Sequence, residues 1–109
     1  MSEKSDFVYG SGNVFADIGL PNAEQHFLKA ELVSRVGEII KTRRLTQSAA
    51  GRLLGIAQPD LSKILVGHFH DVSVERLLRF LNALDQDVEI VLTPKRKGKK
   101  PARLTVRAA

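Results

Sequence analysis

Leu45 to Leu65, Leu-Thr-Gln-Ser-Ala-Ala-Gly-Arg-Leu-Leu-Gly-Ile-Ala-Gln-Pro-Asp-Leu-Ser-Lys-Ile-Leu, constrains this chain more than any other stretch. It reads as two short helices joined by a tight turn. Thr46 can cap the first, whose apolar positions Ala50, Leu53 and Leu54 precede Gly55, a natural left-handed stop. Gln58-Pro59 opens the second, with Pro59 expected at the first helical position, where a missing amide has no intrahelical partner. Leu61, Ile64 and Leu65 form its apolar face, which leaves Gln58, Asp60, Ser62 and Lys63 expected to point outward, and Gly67 ends it. Two helices crossing at a steep angle need a very small residue where they touch, which is Gly51. The turn needs a positive φ, which Gly55 supplies without strain.

The flanks extend this unit. Pro21-Asn22 is expected to open a long helix, with Asn22 and Gln25 spaced as in a capping box. Leu28, Leu32, Val36, Ile39 and Ile40 then recur along one stripe of a 3.6-residue period, and the helix is expected to end near Arg43-Arg44. Gly37 inside it marks either a close helix crossing or a break between two helices. Ser73 caps a further helix whose stripe is Val74, Leu77, Leu78, Leu81 and Leu84, and Phe69 is expected to pack into its base. Val88, Ile90 and Leu92 alternate with Glu89, Val91 and Thr93 up to Pro94, the pattern of a strand. A lone strand cannot satisfy its own edges. It needs a partner from the N-terminal arm or from a second copy of the chain.

A chain of 109 residues, 43% hydrophobic and 27% charged, is long enough for one folded domain. The expected organisation is an N-terminal arm over residues 1–20, a folded domain over 21–93 with a C-terminal strand, and a basic tail over 94–109. Within the arm, Val14, Phe15, Ile18 and Leu20 form a short apolar segment that either packs on its own domain or docks a partner. The absence of cysteine excludes disulfides, thiol nucleophiles and cysteine-built zinc sites. No apolar run approaches the ~20 residues that span a bilayer, and the N-terminus carries no signal-peptide core. A cytoplasmic location is expected. The net charge of +5 is unevenly placed: Lys95, Arg96, Lys97, Lys99, Lys100, Arg103 and Arg107 all lie beyond residue 93, and the first 93 residues hold ten bases against twelve acids. The basic pI is therefore a property of the tail, and a case for nucleic-acid binding by the body has to rest on its motif.

That motif resembles the helix-turn-helix of the lambda-repressor and Cro-like family, also called the XRE family, over roughly Glu31 to Leu84. The Leu-Thr-Gln opening, Leu-Leu-Gly-Ile centre and Leu-Ser-Lys-Ile close are in its style, while Gly51 stands where alanine is commoner and is expected to loosen its helix. The resemblance implies a mainly all-α, lambda-repressor-like bundle of about five helices, here with one C-terminal β-strand. Asn13–Glu24 before the motif, and Ser73–Leu84 with Asp87–Val91 after it, are similar to HigA-type antitoxins. This implies a homodimeric repressor of a palindromic operator that also neutralises a RelE- or HigB-like toxin.

Carried over onto these residues, the resemblance implies base reading by Gln58, Asp60, Ser62 and Lys63. An amide such as that of Gln58 pairs bidentately with adenine, and a lysine reads guanine or holds a phosphate. Asp60 fits only opposite a cytosine amine, because a carboxylate is otherwise repelled by DNA. Thr46 and Gln47 match the positions that clamp the backbone at a helix N-terminus, and Arg52 is a further phosphate contact. Arg43 and Arg44 are divided between helix-end charges and phosphate contacts. His68 and His70 lack a third ligand at metal-binding spacing and are expected to be loop residues near the DNA. The tail is expected to favour the DNA backbone. No catalytic constellation, cofactor motif or metal site is present in the sequence, so no enzymatic activity is expected.

Overall fold

The computed structural model of the chain describes residues 22–94, 98 and 104–107. Four helices follow in order: α1 (Asn22–Thr42), α2 (Gln47–Leu54), α3 (Gln58–Leu65) and α4 (Val74–Ala83). The expected count of about five is thus met by four among the described residues. The apolar segment Val14 to Leu20, the arm around it and the side chain of Asn22 lie outside them.

The expected stripe of α1 is buried through Leu28, Leu32, Val36 and Ile40, with Ile39 half-buried beside it. Gly37 does not break the helix. A side chain there would meet only Leu65 Cδ2 at 3.5 Å, so this is the point where α1 crosses the end of α3. Helix α4 packs along α1, while α3 rests on α1 and α2 on α4. At the centre, Val36, Leu61, Leu77 and Leu84 are almost wholly enclosed. Each such side chain contributes about 1.5–3 kcal/mol by leaving water. Leu61 belongs to α3, so the second helix of the motif is anchored in the core by its inner face. Phe69 and Phe80 are also buried, whereas Leu78 of the expected α4 stripe is half-buried and Leu53 of α2 is exposed.

The helix ends follow local chemistry. Thr46 Oγ1 accepts from the Ala49 amide at 3.0 Å and Ser73 Oγ from the Arg76 amide at 3.1 Å, which caps α2 and α4 as their sequences lead one to expect. At the end of α1 the Leu45 amide donates to Ile40 O and the Arg44 amide to Lys41 O, both at 3.0 Å. This paired bonding requires a left-handed residue, and Arg44 takes that conformation with φ 56°. Helix α4 ends in the same way through Asp85, at φ 65°. Arg43 links the two ends: its Nη1 donates to Leu84 O at 3.1 Å and lies 3.7 Å from Asp85 Oδ2.

One expectation is corrected. Residues 88–92 form no strand, and no strand is present among the described residues. The alternation is in place, but a strand exists only by pairing, and no neighbouring edge within the described chain meets it. Its apolar side chains are left in solvent, Ile90 66% and Leu92 90% exposed. Val106, within the segment expected to be a tail, is half-buried against the core.

Candidate nucleic-acid interface

The junction of α2 and α3 depends on Gly51, which is buried. A Cβ at this position would lie 2.8 Å from Ile56 O, closer to backbone than real side chains come, and in ordinary contact with the Gln58 amide nitrogen at 3.6 Å. Glycine here lets the turn and the start of α3 press against α2, and the Ile56 amide donates to Gly51 O at 2.9 Å from the same turn. Gly55, at φ 76°, ends α2.

This close approach brings two of the expected site residues together. Gln58 Nε2 donates to Gln47 Oε1 at 2.8 Å, joining the first residue of α3 to the first of α2. Gln58 is exposed and Gln47 half-buried. A carboxamide carries two N–H donors and an acceptor oxygen. The bond to Gln47 occupies one donor and fixes the amide plane, which leaves one N–H and the oxygen for a ligand. Helix α3 begins one residue earlier than expected, so Pro59 is its second residue, and Ala57 precedes it without a side-chain cap.

The four expected base-reading residues do not all share one face. Lys63 and Asp60 are exposed and Ser62 is half-buried. At a 100° step, with Leu61 and Ile64 facing inward, Gln58 and Asp60 fall on opposite flanks of α3, about 160° apart. Pro59 and Val66 lie at the centre of the outward face, with Lys63 about 50° to one side of it and Ser62 about 50° to the other. Val66, 73% exposed at the end of α3, was missed by a reading that took the apolar residues of this helix as inward. The angular step alone would have found it. Asp60 lies in the first turn of α3, where a carboxylate complements the positive helix end without any ligand.

The cations are placed differently from one another. Arg44 and Arg52 are exposed, Arg44 in the left-handed link between α1 and α2 and Arg52 in the last turn of α2. Arg43 is exposed too, but its guanidinium is turned to the end of α4. Thr46 uses its hydroxyl as a cap for the Ala49 amide, so the Gln47 and Ser48 amides are the ones left open at the start of α2. After α3, His68 and His70 are exposed. The loop they occupy is held from behind: the buried Lys29 donates its Nζ to His70 O at 2.9 Å, and His26 stacks on Phe69 with centroids 5.2 Å apart. Phe69 therefore packs against α1 rather than only at the base of α4. Among the described residues no cluster of three His, Asp or Glu side chains is placed to hold a metal ion. No helix among them is long and apolar enough to cross a membrane.

A family model described as a helix-turn-helix domain matches residues 14–93. A solved chain provisionally described as an XRE family transcriptional regulator is 44% identical, with a TM-score of 0.77. The match covers 82% of this chain and all of that one. No curated protein matches the sequence. With the packed α2–α3 unit, a family model spanning most of the chain and a related structure matched over its whole length, this chain belongs to the helix-turn-helix family of XRE-type regulators.

Proposed function

We propose that this regulator is a sequence-specific repressor that binds a palindromic operator as a homodimer, with α3 of each copy in the major groove. Its family is one of DNA-binding proteins rather than enzymes. The observation that carries the reading is the Gln58–Gln47 hydrogen bond at the exposed start of α3. It holds the Gln58 amide with one donor and one acceptor free, the pair that matches N7 and N6 of adenine in the major groove. Lys63, on the outward face, reads guanine or a phosphate. Ser62 contributes from the side, Asp60 accepts from a cytosine amine on the flank opposite Gln58, and Val66 meets a thymine methyl. Arg44, Arg52, Thr46 and Gln47 hold the phosphates on either side. Arg43 contributes charge there, although its hydrogen bonds face α4.

The similarity of residues 13–24 and 73–91 to HigA-type antitoxins supports a second role in the cytoplasm. In that role the repressor neutralises a RelE- or HigB-like toxin and represses the operon that encodes both. Operator binding is tested by fluorescence anisotropy with the chain's own upstream promoter and a scrambled duplex, across a salt series. Specific sites are typically ~10³-fold or more tighter than random DNA. The double variant Gln58→Ala, Lys63→Ala is expected to bind both duplexes equally. Undiminished discrimination by that variant would remove α3 as the reading element.

A further inference from the structure

We infer that Asp87–Pro94 is a dimerisation strand that pairs antiparallel with the same segment of a second copy, about a two-fold axis at Val91. The inference rests on the homodimer proposed above and goes beyond it by naming the contact and its register. Val88, Ile90, Val91 and Thr93 are β-branched, a composition favoured in strands. Yet the segment leaves α4 unpaired, with Ile90, Val91 and Leu92 each about two-thirds or more exposed. A long apolar edge in this state is a template for another edge.

The sequence of the segment is suited to pairing with itself. Acids precede it at Asp85, Asp87 and Glu89, and a run of lysines and arginines follows Pro94. An antiparallel pair therefore lays the acidic start of each copy beside the basic end of the other, whereas a parallel pair sets like charges together. Side-chain alternation puts the axis through a residue, and charge selects which residue. With the axis at Val91, Ile90 faces Leu92 of the second copy, Val88 faces Pro94, and Glu89 faces Thr93. One face of the ribbon is then wholly apolar and the other carries the charged residues, with Asp87 opposite Lys95. An axis at Ile90 would keep the apolar face but set Asp87 opposite Thr93 and the Glu89 carboxylate opposite Val91. Pro94, which cannot donate to a ladder, falls at the ribbon end, where proline is tolerated.

The chain holds no cysteine, so single introduced cysteines report the register directly. With the axis at Val91, two residues at that position face each other across the pair, within the 4.4–6.8 Å Cα range of a disulfide. Two residues at position 90 are offset by two positions and lie ~8 Å apart, too far to bridge. Full-length Val91→Cys is expected to form a disulfide-linked dimer under mild oxidation, and Ile90→Cys is expected not to. Ile90→Asp is expected to raise the dimer dissociation constant in sedimentation by ~30-fold or more, because two carboxylates are added to the apolar face. Its circular dichroism should be unchanged, since Ile90 is exposed. Cross-linking at 90 but not at 91 overturns the register. A dimer indifferent to Ile90→Asp overturns the ribbon while leaving the homodimer in place. A chain that sediments as a monomer throughout overturns both. Gln58→Ala, Lys63→Ala should dimerise normally, so a failure of DNA reading registers separately from a failure of pairing.

Discussion

Replacing Gly51 by alanine is expected to destabilise the domain, although the same change is usually favourable inside a helix. Alanine exceeds glycine in helix propensity by about 0.8–1 kcal/mol. Here the new methyl would sit 2.8 Å from Ile56 O, and ordinary contact begins at 3.4 Å. The turn must retreat by about 0.6 Å. The Ile56 amide already bonds Gly51 O at 2.9 Å, so that retreat stretches a bond which helps to close the turn. Overpacking of this kind costs about 1–3 kcal/mol, and the net expectation is a loss of about 1 kcal/mol. In a domain of this size that corresponds to a fall of about 4–8 °C in Tm. Gly37→Ala supplies the control within the same chain. Its methyl would meet only the flexible Leu65 Cδ2 at 3.5 Å, so the propensity gain of about 0.8–1 kcal/mol should appear nearly whole. Thermal unfolding followed by circular dichroism should therefore move in opposite directions for the two variants. Because Gln58 begins at the displaced backbone, Gly51→Ala should also weaken operator binding by roughly fivefold, part of the value of a bidentate base contact. Equal stabilisation by both substitutions, with operator affinity intact, would refute the close-approach argument.

Arg44→Gly should separate stability from binding. Glycine relieves a left-handed conformation that costs an ordinary residue about 1–2 kcal/mol, so Tm should rise, while the slope of log K against log salt for the dimer on its operator should flatten by about two, one phosphate for each copy. Arg43→Gln should behave differently: the lost bond to Leu84 O lowers stability by about 0.5–1.5 kcal/mol, and the salt slope should flatten less than for Arg44→Gly, because the Arg43 guanidinium is turned to the end of α4. Val66→Ala should leave the unfolding free energy within about 0.5 kcal/mol of the parent, as expected for an exposed residue. A contact with a thymine methyl would appear as a relaxed preference at one base position in a panel of single-base operator variants.

The parts of this fold that were legible in the sequence are those decided within a turn or two of chain. The inward stripe Leu28, Leu32, Val36 and Ile40, the caps Thr46 and Ser73, and the plug formed by Leu61 and Ile64 follow from helical spacing and from the hydroxyl chemistry of an N-cap. Local signals did not place residues whose partners are distant in the chain. Gln47 and Gln58 meet across eleven positions only because Gly51 lets two helices touch. Arg43 reads as a charge at the end of its own helix, and nothing nearby in sequence announces that it donates to Leu84 O, forty-one positions away. Asp60 and Gln58 were both read as outward because the apolar residues of α3 face in, whereas the 100° step sets the two on opposite flanks.

The segment 88–92 fails for a different reason, and that reason is informative. Its alternation is a valid strand signal, but a strand is a property of two edges, and a single chain supplies only one here. A pattern that is correct locally and unsatisfied within the described chain points outward. The same holds for Arg44, whose backbone would be more comfortable as glycine. A cation kept in a left-handed conformation at the mouth of the helix-turn-helix is opposed by stability, so its retention calls for a role that the isolated chain does not use. The segment and the arginine, each out of place in a monomer, fit the proposed two-fold repressor on DNA, the first at the joint between copies and the second against the phosphates. Combining Arg44→Gly with Ile90→Asp tests this division. The first change should reduce affinity for a half-site duplex by one factor and for the full operator by about the square of that factor, one phosphate contact being lost from each copy, whereas the second should reduce it only for the full operator. A half-site affinity that falls with Ile90→Asp would place the segment on DNA and reject its assignment to the dimer joint.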